Sequence, residues 1–314
     1  MKGEPVDRGN KLNEALLSTA AYDIEHALCM YALDFCTLPG EMIYDTEAVA
    51  SIASVAKRCH IYVIGYTPRV DFIDATMVKS DLLLSFDVAG KQHIINYHVP
   101  KGFSLVQDDG RHFLLDSSGE RFWPNEPDML ARLSSESKSA SFEVKYIGQA
   151  YGKDGSRSAI DRLLKHETLQ RIALEGAPEG YRITLLLLSI QPGNRLITIF
   201  NPFAKDTQSG EQRIKQGLDK LFNTTEEERV SLYEAALIRY FYPDFNKEFK
   251  ESFPSTNLKI LRDCYNKDFS AVIAEICMDG LPYTLWSKSV EAKRSHVARH
   301  DLHREEDRKI FFGL

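Results

Sequence analysis

Four side chains in the middle of the chain have the types and spacing for work on a phosphate. Tyr146 lies in the run FEVKYIGQA (142–150), Arg162 and His166 follow four residues apart, and Glu234 stands among aliphatic neighbours in YEAALI (233–238). Hydrolysing a phosphodiester takes a base for water, a cation for the phosphate and a carboxylate that holds a divalent metal. Tyr146 or His166, Arg162 and Glu234 supply those types. Between Lys145 and Arg171 six basic residues (Lys145, Lys153, Arg157, Arg162, Lys165, Arg171) face three acidic ones (Asp154, Asp161, Glu167), a local +3 in a chain of formal net charge -6. Lys145, Lys153, Arg157 and Lys165 are the candidates for contact with nucleic-acid phosphates; a solvated helix face is the plainer reading of the same cluster.

The elements that must position these groups read in a definite order. Residues 142–150 are strand-like. A polar loop, 151–156, leads into a predicted helix over 157–175, whose apolar face is Ile160, Leu163, Leu164, Leu169 and Ile172 and whose end is Gly176. On that helix Arg162 and His166 would share one face. YRITLLLLSI (181–190) is a buried strand, 201–223 a polar, partly helical insertion, and 225–242 a helix with acidic residues at its positive N-terminus and Pro243 after its end. The order is strand, helix, strand, helix.

These pieces resemble the GIY-YIG nuclease family. Tyr146-Ile147-Gly148 matches the YIG half of the name, Arg162 with His166 matches the family's helical Arg with a His or Tyr four residues on, and Glu234 with Leu237-Ile238, Pro243 and Asn246 matches its metal-binding Glu, LI pair and closing Pro-x-x-Asn. The resemblance covers about residues 142–246, a third of the chain. It implies an α+β fold with a small GIY-YIG-like sheet and helix core, and metal-dependent hydrolysis of DNA or RNA. Glu234 would be the ligand of Mg2+ (or Mn2+), Arg162 the phosphate stabiliser, Tyr146 the positioning group or base, and His166 the proton carrier. Gly148 and Asn246 would shape the site. The family's GIY half lies about ten residues before YIG, and that place here is the polar stretch 134–141, which has no Tyr. Tyr97 and Tyr62 are candidates from further upstream; Tyr146, Tyr151 or His166 could instead activate water. A module that has lost catalysis and only binds nucleic acid or senses a partner is the alternative.

The rest of the chain carries less chemistry. A helix is expected over 10–30, a second over 45–58, a short strand over 60–65, and β hairpins from 81 to 116, where AG, PKG and DDG turns separate alternating runs. His93 and His98 fall on opposite strand faces, and Asp71 and Asp74 read as a solvated turn. The serine-rich 133–141 stretch places a boundary, so three parts are expected: a mixed N-terminal domain for recognition or regulation (1–138), the nuclease-like domain (139–254), and a C-terminal extension packing on it (255–314). In that extension 258–263 and 269–277 read as a helix or strand pair. His296, His300 and His303 fall at i, i+4 and i+7, one stripe of a helix, with a solvated or partner-facing role expected ahead of zinc. The apolar end, 310–314, is a candidate homo-oligomer contact. No apolar run reaches the ~18 residues of a membrane span, no signal-peptide core opens the chain, and five scattered cysteines form no CxxC pair. These features lead to the expectation of a cytoplasmic protein with reduced thiols and no membrane partner, DNA being favoured over RNA as substrate. The kind of protein it resembles suggests defence or mobile-element biology.

Overall fold

The computed structural model describes residues 23–302 apart from 138–140, 153–156, 191–194, 202–209, 255–257, 268, 280 and 282. The described chain begins with β1 (Asp23–Pro39), a 3-10 turn (Gly40–Tyr44), α1 (Thr46–Ala56) and β2 (Ile61–Pro68). Six strands follow: β3 (Val70–Val78), β4 (Asp81–Val88), β5 (Lys91–His98), β6 (Ser104–Asp108), β7 (Arg111–Leu115) and β8 (Arg121–Phe122), with α2 (Glu126–Ser137) after them. Then come β9 (Ser141–Gln149), α3 (Ala159–Leu163), α4 (Glu167–Glu175), β10 (Tyr181–Ile190), β11 (Arg195–Asn201), α5 (Gly210–Asn223), α6 (Glu226–Phe241) and α7 (Lys259–Asn266). Strands β12 (Ala271–Cys277), β13 (Thr284–Ser287), β14 (Val290–Lys293) and β15 (Ser295–Asp301) complete the order. The protein is thus mixed α/β.

One mixed sheet is the frame, in the order β14-β13-β9-β2-β10-β1-β12-β15, with β11 also paired to β1. It curls into a nearly closed, barrel-like form. Its two ends meet at His296 of β15, whose Nε2 bonds to the carbonyls of Leu285 on β13 (3.0 Å) and Lys293 on β14 (3.1 Å). Alternation along the strands separates two cores. Ile61, Val63, Leu186 and Leu188 share one with α6 and α7, whereas Tyr62, Ile64, Leu185 and Leu187 share the other with α1, α3 and α4. Helix α6 is buried on nearly every side, Val230 to Ile238 included apart from Ser231, as a helix enclosed by a curved sheet must be. Its start is fixed by a capping box between Thr225 and Glu228.

Strands from both sides of residue 138 lie side by side in this sheet, so the expected boundary at 138/139 is crossed by the frame: β1 and β2 pair with β10, and β2 with β9. What stands apart is the stretch between β2 and β9. Its sheets β3-β4-β5 and β6-β7-β8 gather around their own core of Leu82, Leu84, Phe86, Ile95 and Leu114. The expected hairpins are there, and Asp71 and Asp74 lie on β3 rather than on a turn. The expected C-terminal extension supplies four strands of the frame, β12 paired to β1 and β13 to β9.

Two further expectations are corrected. From Asp23 to Met30 the chain is strand, not helix; residues 1–22 lie outside the described ones. Residues His26 to Met30 are all buried, between β11 and β12, and a continuous apolar run covered on both faces carries no period to tell strand from helix. The histidine row is also a strand. His296 and His300 alternate inward on β15, each bonded to backbone carbonyls, His300 Nε2 to Ala236 on α6 at 2.9 Å; His303 and 310–314 lie outside the described residues.

Candidate functional site

The site forms where one edge of β9 is left open. β13 covers that edge only from Ser141 to Glu143. Beyond it the backbone of β9 is completed by residues just after α6: Phe245 N–H donates to the Lys145 carbonyl (3.1 Å), and the Asn246 carboxamide bonds to both polar groups of Ile147. Asn246 Oδ1 accepts the Ile147 N–H at 2.9 Å, and its Nδ2 donates to the Ile147 carbonyl at 2.8 Å. Asn246 thus stands in for a missing strand. Asn246→Ala would leave two buried backbone groups unsatisfied, an expected loss of about 2–4 kcal/mol in urea unfolding. Asn246→Asp keeps the acceptor but sets a carboxylate oxygen against the Ile147 carbonyl, so its loss should shrink as the pH falls and the protonated carboxyl can donate; a loss independent of pH would count against this role.

A bulge aims the tyrosine of β9. Ile64 of β2 lies opposite Tyr146 and Gly65 opposite Val144, so Lys145 is an extra residue. Phe142 and Val144 face the α6 core; after the extra residue the parity flips, Ile147 faces that core, and Tyr146 and Gly148 turn to the opposite face. On that face Tyr62 of β2 lies directly across from Gly148. A methyl at Gly148 would stand 2.5 Å from the Tyr62 hydroxyl and 2.6 Å from its Cζ. The glycine is therefore where the Tyr62 ring crosses the strand, not a turn.

Around the crossing the expected groups converge. The rings of Tyr62 and Tyr146 are stacked with centroids 6.2 Å apart, and the His166 ring lies 5.4 Å from Tyr62 and 5.1 Å from Tyr146. Arg162 comes from α3, and its cation lies near enough to the Tyr62 hydroxyl to favour the phenolate. Glu234 arrives from α6, on the other side of the sheet, round the open edge of β9, where Gln149 stands beside its carboxylate. Tyr62, Tyr146, Arg162 and Glu234 line one cleft of about 580 Å³ with Gln149, Arg171, Asn246 and Glu248. A smaller hollow of about 240 Å³ shares Gln149 and Arg162 with it and adds Tyr151 and Arg157.

The expected single helix carrying Arg162 and His166 is two. It breaks after α3, and His166 caps α4: its Nδ1 accepts the Leu169 N–H at 3.2 Å. With that lone pair engaged, the neutral ring carries its proton on Nε2. Burial, with Arg162 and Arg157 beside it, brings the His166 pKa down to about 4, so at neutral pH the ring offers an N–H and no free acceptor.

Burial also governs the acids. Glu234 is 8 % exposed, and burial, then the charge of Glu248, pushes its pKa up to about 8 against the pull of Gln149 and Arg162. Both phenols are raised, first by burial; Glu234 adds to the rise in each, while Arg162 opposes it. A cation bound beside this buried carboxylate would oppose the rise and favour its charged form. Among the described residues no three His, Cys, Asp or Glu side chains gather as a metal cluster, unlike a structural zinc site. One buried carboxylate with a second, exposed one in the same cleft suits Mg2+, which keeps several waters and shares phosphate oxygens.

Of the candidate phosphate contacts, Arg157 lines the smaller hollow and Lys165 is exposed on the turn between α3 and α4. Lys153 lies outside the described residues. Lys145 is corrected: as the bulged residue it is buried, its Nζ 2.7 Å from Glu143 and 2.9 Å from Asp244. Burial alone would lower its pKa, but these two carboxylates hold it above the ordinary value, and the ammonium is committed to them. Tyr97 belongs to β5, its ring under the Arg132 guanidinium; Tyr151 bonds to Glu226 at 3.2 Å. Tyr62 stood in the sequence reading only as an alternative. Gln149 and Glu248 had no signal there beyond nearness to Tyr146 and Asn246. Comparison of the chain with family models, curated proteins and solved structures finds no match.

Proposed function

We propose that the chain is a metal-dependent nuclease that hydrolyses phosphodiester bonds of DNA or RNA, built on a core of GIY-YIG type. What supports this is one observation: two tyrosines from neighbouring antiparallel strands, an arginine from the following helix and a buried glutamate from a later one share a single cleft. In this reading His60-Ile61-Tyr62, at the entry to β2, is the missing half of the motif, separated from Tyr146-Ile147-Gly148 by the two inserted sheets. Glu234 would hold Mg2+ or Mn2+, with Glu248 the further carboxylate at hand, and the ion supplies charge that stabilises the phosphate as negative charge develops. Arg162 neutralises a non-bridging oxygen. The hydroxyls of Tyr62 and Tyr146 would orient the attacking water, and Tyr62 would take its proton as the phenolate, the form that the neighbouring Arg162 cation favours against burial. A cation held at Glu234 would offset its charge, one of the influences that raise both phenols. His166 fixes both rings and the start of α4.

The test incubates the chain with plasmid DNA and with structured RNA, plus Mg2+ or Mn2+, beside Glu234→Gln and Arg162→Ala. Cleavage by the parent, reduced about 10²–10³-fold or more in each variant, is the expected result. Cleavage by Glu234→Gln at the parental rate would end the assignment. Binding by the parent without cleavage under either metal would replace it with the non-catalytic module.

A further inference from the structure

A second cluster of reactive groups lies outside the cleft. Cys36 on β1 is opposite Leu187, and Leu187 is opposite Tyr62, so Cys36 leaves the same face of the sheet as Tyr62. Helix α1 covers that face and returns the chain to Cys59, whose N–H donates to Ala56 O at 3.1 Å and whose Sγ lies 3.4 Å from Val55 O. Cys36 packs against the core that contains Cys59, and the two thiols lie close enough for each to perturb the other's ionisation. The flanking residues are tied as well, Arg58 Nη2 lying 2.8 Å from Asp34 Oδ2. Cys59 is buried and Cys36 only partly so. The nearness of Cys59 holds the Cys36 thiol below its ordinary pKa, while the same nearness and burial push Cys59 up. The partly exposed Cys36 is reachable, and the buried Cys59 beside it is placed to resolve it.

We propose that Cys36 and Cys59 are a modification site, a thiol pair that closes to a disulfide when the chain meets a hydroperoxide. The Cys36 thiolate attacks one oxygen of hydrogen peroxide; the O–O bond breaks, an S–O bond forms, and the leaving hydroxide takes a proton and departs as water. The Cys59 sulfur then attacks the sulfenic sulfur; the S–O bond breaks, the S–S bond forms, and the Cys59 proton leaves with the hydroxide as a second water. The two thiols give up two electrons and two protons, and the peroxide receives both. The bond would tie β1 to the segment entering β2. The Cys59 carbonyl also accepts the N–H of Ala159 at 3.1 Å, the first residue of α3. The disulfide therefore sits where the strand bearing Tyr62 and the helix bearing Arg162 begin.

To test it, the fully reduced chain is treated with a few equivalents of hydrogen peroxide and followed by intact mass, thiol alkylation and mapping of a non-reduced digest. A loss of about 2 Da, two of the five thiols blocked, and a peptide joining Cys36 to Cys59 that dithiothreitol releases are the expected results. Cys36→Ser should remove the mass loss. Cys59→Ser should leave Cys36 as a sulfenic acid that dimedone traps. Oxidation confined to the exposed Cys277, or oxygen adducts on Cys36 without the joined peptide, would overturn the proposal. None of these readouts depends on cleavage of nucleic acid.

Discussion

Tyr62→Phe should leave the fold intact and slow phosphodiester cleavage about 10²–10³-fold, the range for loss of a positioned proton-transfer group. The ring is 1 % exposed, packed against Tyr146, His166 and the backbone of Gly148, and phenylalanine keeps all of that packing. Only the hydroxyl goes, with its electrostatic coupling to Arg162 and Tyr146. Its loss should cost no more than about 1–2 kcal/mol of stability, because the Arg162 cation borders the cleft and water can serve it. Single-turnover cleavage and urea unfolding on the same preparation separate the two effects. Tyr146→Phe is the comparison: if it is much the slower of the pair, Tyr146 is the base and Tyr62 its support. An unchanged rate in Tyr62→Phe would remove β2 from the chemistry.

Gly148→Ala is expected to do the most harm for the smallest change. Its methyl would fall 2.5–2.6 Å from two atoms of Tyr62 and 2.8 Å from Tyr146 Cε1. No real contact is that short, and a buried ring between two strands has little room to retreat. Overpacking of this kind costs about 1–3 kcal/mol, and the displaced hydroxyl should lower cleavage by at least about tenfold, since small misplacements at a reacting centre are expensive. Combining Gly148→Ala with Tyr62→Leu should recover much of the stability and none of the activity. If the alanine costs the same in both backgrounds, the coupling is absent and the crossing of ring and glycine is not what constrains residue 148.

The legible parts of this sequence are those where local pattern and final environment agree. β10 reads as a buried strand from its apolar run, α6 as a helix from its acidic first turn and the proline after its end, and the inserted hairpins from their turns. The site was legible as residue types: Tyr146, Arg162 and Glu234 meet in one cleft as their order suggested. Its geometry was not. Lys145 looked like a phosphate contact because nothing local announces a bulge, and the same extra residue sets which way Tyr146 points. His166 looked like the next turn of Arg162's helix because spacing alone cannot reveal that its imidazole caps a new one. Tyr62 was hidden by distance along the chain; only the pairing of β2 with β9 brings it to Gly148.

The pairing of β1 bears on how the molecule comes together as it is made. All three of its neighbours, β10, β11 and β12, begin at Tyr181 or later, and β2 has only β9 and β10 for partners. On the ribosome the run from His26 to Met30 therefore emerges long before any strand that can cover it. The inserted sheets join neighbours through short turns and can finish from local contacts in the meantime. The periphery would be folded while the centre still waits, with an apolar strand exposed throughout, and nascent-chain binding factors would find their substrate in that interval.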